Sequence, residues 1–308
     1  MKKLLPLIII IILTTIISCK NNSDNYEPVS SGNDPNFTIV AHEDSGFTAT
    51  NRKVVVFGIP IYAYYEVEDS KLLHAANIMA QYLDNDENGV VDNSLLLTTL
   101  LNNDASLFMW KYESQINLNA QDLGADESIP VWHTNGQTGQ FDAALEEVWH
   151  VITYSGYSDA YPEIFGENPG TALTNAMDIA RGGNFTSIPE NYPDNAWYTY
   201  DDETCDYKCM ATEYIYWGMT SILGAQENRL NEISQEWDLN SKSLVKEKDT
   251  LLFSLLTDTK YKFPSITTSV KDTFDAPITT ALPAATTPAS TSNKFKSLEV
   301  NVANKSSR

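Results

Sequence analysis

Two acids and one imidazole stand where they could share an ion. In Glu146-Glu147-Val148-Trp149-His150, Glu146 and His150 are one helical turn apart and fall on one face of a helix that advances about 100° per residue. Leu145, Val148, Trp149 and Ile152 form the apolar stripe beside that face. A carboxylate and an imidazole so spaced are two of the donors a divalent metal takes from protein. Glu147 lies about 60° round from His150 on the same helix. The third donor would be Glu213, the only acid in the apolar helical run 210–223, where a buried carboxylate requires a partner.

A second oxygen-rich pattern lies in Asp84-Asn85-Asp86-Glu87-Asn88-Gly89-Val90-Val91-Asp92. Asp84, Asp86, Asn88 and Asp92 alternate so that their side-chain oxygens converge on one point, Val90 would add its carbonyl, and Gly89 permits the sharp turn. Calcium takes about six to eight such hard oxygens. The segment resembles the EF-hand and dockerin-type calcium loop over 84–95. It departs from that pattern at Leu95, where the bidentate Glu should stand. A ligand is lost there, which lowers affinity or requires an oxygen from elsewhere, but exported proteins meet millimolar calcium. The pattern predicts a bound Ca²⁺ that stabilises the fold.

The EEVWH segment resembles the HExxH helix of zincin metallopeptidases, with Glu146 in place of the first His. That resemblance implies a zincin-like body, Glu146, His150 and Glu213 as metal ligands, Glu147 as base and a peptide as substrate. It also implies an edge strand before the helix, at 129–132, holding an extended substrate. The substituted ligand makes the set harder and more negative than His/His/Glu, so Mn²⁺ or Fe²⁺ would suit it as well as Zn²⁺. The chain also resembles a group of exported bacterial proteins carrying HAANxxAQYLDNDxxG, EExxH and TEYxYW, which places the calcium loop and the EExxH helix in one domain.

Plainer readings stand beside these. Glu146 and His150 could be an exposed i,i+4 pair on an ordinary amphipathic helix. Glu147-x-x-His150 could be half of a di-iron bundle site, but a second ExxH is missing. The protein would then be a non-catalytic envelope binding or scaffold protein braced by calcium. The six Trp and sixteen Tyr would suit a carbohydrate-binding module only if they lined an exposed flat face. His133 would lie near the edge strand as a substrate or metal contact, or as a structural residue. His74 reads as structural, and Asp178 with Arg181 as a surface pair. Within 198–203, a tyrosine could donate to an oxyanion.

The elements that must position these groups follow from hydrophobic period. Strands are expected at 37–41, 53–57 and 61–65, with short ones at 105–110 and 129–132. Helices are expected at 71–83, 94–101, 142–153 with Asp142 as N-cap, 171–181, 210–223, 228–237 and 241–256. Strands first and helices later give an α+β fold, a small N-terminal β-sheet followed by a mainly helical body, in a single domain over 38–264. The composition, 42% hydrophobic and 20% charged, suffices for a core. The net charge of −21 would repel phosphate backbones, which argues against nucleic acid as a partner. No nucleotide-binding or serine-hydrolase motif is present.

The N-terminus reads as an address. Lys2 and Lys3 precede an apolar run to Ile17, and Ser18-Cys19 ends it, as in a secretory signal. The junction resembles the lipobox of bacterial lipoproteins, which implies a signal peptide over 1–18, lipidation of Cys19, and attachment to a membrane at the cell envelope. A single transmembrane anchor is the competing reading. Residues 19–37 would be a flexible tether, and 265–308 a Thr/Ala/Pro/Ser-rich tail. In an oxidising compartment Cys205 and Cys209 would form a disulfide, with a thiolate metal pair as the alternative.

Overall fold

The computed structural model describes residues 37–129 and 141–265. The signal segment, Cys19 and nearly all of the tether lie outside the described residues. So do His133, all but Ile129 of the expected edge strand, and all but Ser265 of the tail. Among the described residues no helix is long and apolar enough to cross a membrane.

Five strands form one sheet in the order β1-β2-β3-β4-β5: β1 (Val40–Ala41), β2 (Arg52–Val56), β3 (Ile59–Ala63), β4 (Leu107–Trp110) and β5 (Gln121–Gly124). The β1–β2 and β2–β3 pairs are antiparallel, the β3–β4 and β4–β5 pairs parallel. The β2–β3 turn is Phe57-Gly58, both at positive φ (49° and 92°), which matches the twist of a two-residue hairpin. Hence β3 starts at Ile59, earlier than expected. Pro60 pairs with Val55 on the β2 side, while β4 pairs only with Ile61, Tyr62 and Ala63. The missing N–H of Pro60 therefore costs no ladder bond. All four residues of β4 are buried, as a strand covered on both faces requires.

Among the described residues seven helices have seven or more residues: α1 (Asp69–Leu83), α2 (Ser94–Asn102), α3 (Ala143–Ile152), α4 (Ala172–Ala180), α5 (Tyr207–Leu223), α6 (Lys242–Lys248) and α7 (Thr250–Leu256). The helices α1 and α3 pack on the sheet and on each other, and α5 packs against α3, α4, α6 and α7. The fold is α+β, and one hydrophobic core runs through sheet and helices.

Two expected helices differ. The 228–237 segment contains only the single turn Leu230–Ile233. The 241–256 helix breaks at Asp249, which ends α6 and caps α7. Its carboxylate accepts from Leu252 N (3.1 Å), Tyr214 OH (2.6 Å) and Trp197 Nε1 (2.9 Å). Three donors meeting on one buried side chain outweigh helix continuity there. After α3 the chain widens into a π-helical turn, Thr153–Tyr157.

Candidate metal centre

Asp142 caps α3 and anchors it. One carboxylate oxygen accepts from Ala144 N (3.1 Å) and Ile129 N (3.2 Å), and the other lies 2.8 Å from His74 Nε2. His74 thus ties α1 to the start of α3, a structural part. The rotation of α3 is fixed by its apolar stripe: Val148 and Trp149 are fully buried, and Trp149 meets Tyr82 edge-on at 5.0 Å. With that stripe committed to the core, Glu146 and His150 turn toward α5. The register of α5 is set in turn by its Asp206 cap and by Tyr214, whose hydroxyl is held by Asp249. Tyr216 presents its edge to the His150 ring at 5.9 Å.

Glu146, His150 and Glu213 come together. One donor atom from each lies within 4.8 Å of the others, and His150 Nε2 is 3.7 Å from a Glu213 oxygen. Donors around a tetrahedral ion at the usual ligand distances would stand about 3.4 Å apart. All three are almost buried, at 9%, 6% and 7% exposure. Nε2 of His150 is buried and has no hydrogen-bond partner among the described residues. A buried ring nitrogen beside two carboxylates, with no hydrogen-bond partner among the described residues, fits a donor to a cation.

The electrostatics point the same way. Burial alone would lower the His150 pKa, but Glu213, Glu147 and Glu146 overcome it and push it up to about 9. Three carboxylates around one imidazole thus favour a cation at this point. Burial pushes the Glu147 carboxyl up to about 7, with His150 pulling the other way.

Glu147 lies on the other flank of the ring. Its Oε2 is 3.4 Å from His150 Nδ1 and accepts from Gln121 Nε2 of β5 at 2.6 Å. Gln121 went unnoticed in the sequence: it is a polar residue in a four-residue strand with no alternation, and nothing in the sequence couples it to α3. Of the tyrosines near 200, Tyr198 is fully buried and donates to Met210 O at 2.7 Å, so it is structural. Burial, with Glu213 and Tyr198 among the charges acting on it, pushes the Tyr200 phenol well above its ordinary value and keeps it a hydrogen-bond donor.

The loop between α1 and α2 turns its oxygens inward. Asp84, fully buried, accepts from Gly89 N (2.7 Å) and Asn88 N (3.1 Å), while Asp86 accepts from Asn88 N and Asp92 from Asn85 N. Gly89 has a φ of 87°, which only glycine adopts at no cost. Asp84, Asp86 and Asp92 bring donor atoms within 4.8 Å of one another. The Asn88 side-chain oxygen accepts from Val90 N at 2.9 Å, and Leu95 is half exposed.

A disulfide joins Cys205 and Cys209, with Cα atoms 5.3 Å apart. Cys205 lies before α5 and Cys209 in its first turn, so the bridge is not confined to a regular helix. Arg181 is not a surface partner of Asp178. Its guanidinium is fully buried, donates to Phe185 O and Tyr192 OH, and lies near both rings. Asp178 instead accepts from Tyr207 OH at 3.0 Å.

Comparison with family models, with curated proteins and with solved structures gives no match.

Proposed function

We propose that this chain is an exported, lipid-anchored metalloprotein whose body is braced by calcium at Asp84, Asp86, Asn88, Val90 and Asp92. A divalent transition metal would be held by Glu146, His150 and Glu213. The observation that carries the reading is the buried Nε2 of His150, which has no hydrogen-bond partner among the described residues and lies 3.7 Å from Glu213 and beside Glu146. Zn²⁺, Mn²⁺ and Fe²⁺ all suit one imidazole and two carboxylates. Such an ion, when bound, acts as a Lewis acid and lowers the pKa of water. The residues' own part is to hold and orient: α3 offers Glu146 and His150 from one face, and α5 brings Glu213 across. Tyr200, kept protonated, is available to donate to an oxyanion. Hydrolysis of a peptide, by a zincin-like body, is the activity class this supports.

The near-complete burial of the three ligands favours a second reading, a calcium-braced envelope scaffold in which the same ion only stabilises. Metal content and peptide hydrolysis, measured on wild type and His150→Ala, separate the two. Bound metal with hydrolysis lost in the variant supports the enzyme. Bound metal without hydrolysis supports the scaffold. Wild type without a transition metal refutes both forms of the centre.

A further inference from the structure

The imidazole of His150 is approached from both sides. Nε2 faces Glu213, while Nδ1 faces Glu147 at 3.4 Å. Glu147 and His150 are i,i+3 on α3, so the contact is built into the helix. The carboxylate is gripped from the sheet by Gln121 Nε2 at 2.6 Å, and Gln121 itself is buried. A base acting on water at an ion held by Nε2 would have to stand on the Nε2 side of the ring. The same Glu147 oxygen is engaged by both Gln121 and Nδ1, on the opposite flank.

We propose that Glu147 is a positioning residue for the metal ligand His150: held by Gln121, it accepts a hydrogen bond from Nδ1–H and leaves Nε2 as the donor to the ion. This departs from the general-base role that the EEVWH spacing suggests, and it rests on the metal-centre reading. Ligating histidines commonly give their second N–H to a carboxylate, which fixes tautomer and ring orientation and raises ligand basicity. Here the chain supplies that carboxylate from the same helix and locks it with an amide from β5.

The test is cobalt(II) binding at saturating calcium, which keeps the loop filled. It compares wild type, Glu147→Ala, Glu147→Gln and Gln121→Ala. Removing an outer partner of this kind weakens metal binding by about 10–100-fold. Glu147→Ala is expected to lose that much, Gln121→Ala less, and Glu147→Gln to recover most of the affinity because its amide oxygen still accepts from Nδ1. In the cobalt-loaded protein, the exchangeable Nδ1–H resonance of His150 is expected in wild type and Glu147→Gln, and lost to solvent in Glu147→Ala. Equal affinity in wild type and Glu147→Ala would overturn the proposal while leaving the metal centre standing. Wild type that takes up no cobalt would overturn both. Should Glu147→Ala fail to fold, Gln121→Ala decides: weaker binding than wild type supports the proposal, and equal binding overturns it.

Discussion

Chelating calcium should lower the melting temperature of the purified body by about 3–6 °C, and the magnitude follows from the loop. Asp84, Asp86 and Asp92 converge, but Leu95 supplies no bidentate carboxylate, so a calcium ion taken up there would be bound in the weak, extracellular range, with a Kd of about 10⁻⁴–10⁻³ M. At about 1 mM calcium and the tighter end of that range, binding stabilises the fold by about 1.4 kcal/mol. In a domain of this size each kcal/mol moves the melting temperature by about 2–4 °C. The sign with pH also follows. Burial holds the Asp84 carboxyl at about 6 without an ion, against the pull of the Gly89 and Asn88 amides. Because that value lies above an unfolded value of about 4, protonation stabilises the calcium-free fold, fully so only below about pH 4. The contribution is lost as pH rises through about 6. Calcium takes only the carboxylate, so the calcium-induced gain should grow from pH 5 to pH 7. Differential scanning calorimetry with calcium or EDTA at both pH values, on wild type and Asp84→Asn, measures this. An unchanged melting temperature in EDTA, or an equal calcium effect in Asp84→Asn, would refute the calcium reasoning.

Three further outcomes are expected. Asp249→Ala should cost about 3–5 kcal/mol in urea unfolding, because the α7 cap is lost, the buried Tyr214 donor is left without that acceptor and the half-buried Trp197 donor loses its partner. Asp249→Asn should cost less, and a loss below about 1 kcal/mol in the alanine variant would contradict the account. Gly218→Ala should cost about 1–3 kcal/mol, since its Cβ would stand 2.3 Å from Leu252 Cδ2. It should weaken metal binding as well, because Gly218 shares α5 with Glu213; unchanged stability would contradict the packing. EDTA should speed limited proteolysis near 261–265, because Asn85 accepts from Ser265 N at 2.8 Å and Asn93 donates to Tyr261 O at 2.9 Å, which ties residues 261–265 to both ends of the acidic loop between α1 and α2. Equal cleavage rates with and without calcium would contradict that coupling.

What could be read from the sequence was whatever depends on period and local spacing. The apolar stripe of α3 fixed which face Glu146 and His150 share, and the alternating acids of 84–92 marked a turn with converging oxygens. The lone acid of α5 marked Glu213 as a partner across the fold, and it does reach His150. What escaped depends on contacts distant in sequence. β5 has only Leu123 as an apolar signal and exists because β4 pairs with it, so Gln121 could not be linked to Glu147. Asp249 breaks a good helical period because Tyr214 and Trp197, far along the chain, both need its carboxylate. Arg181 looked like a surface charge until two aromatic rings closed over it.

The central claim is that one transition metal sits between Glu146, His150 and Glu213. Elemental analysis of the soluble body, purified in calcium without chelators, tests it most directly. The account predicts about one equivalent of Zn, Mn or Fe in wild type. It predicts none in His150→Ala or Glu213→Ala, with calcium content unchanged in all three. Wild type carrying only calcium, or His150→Ala retaining its transition metal, would contradict it.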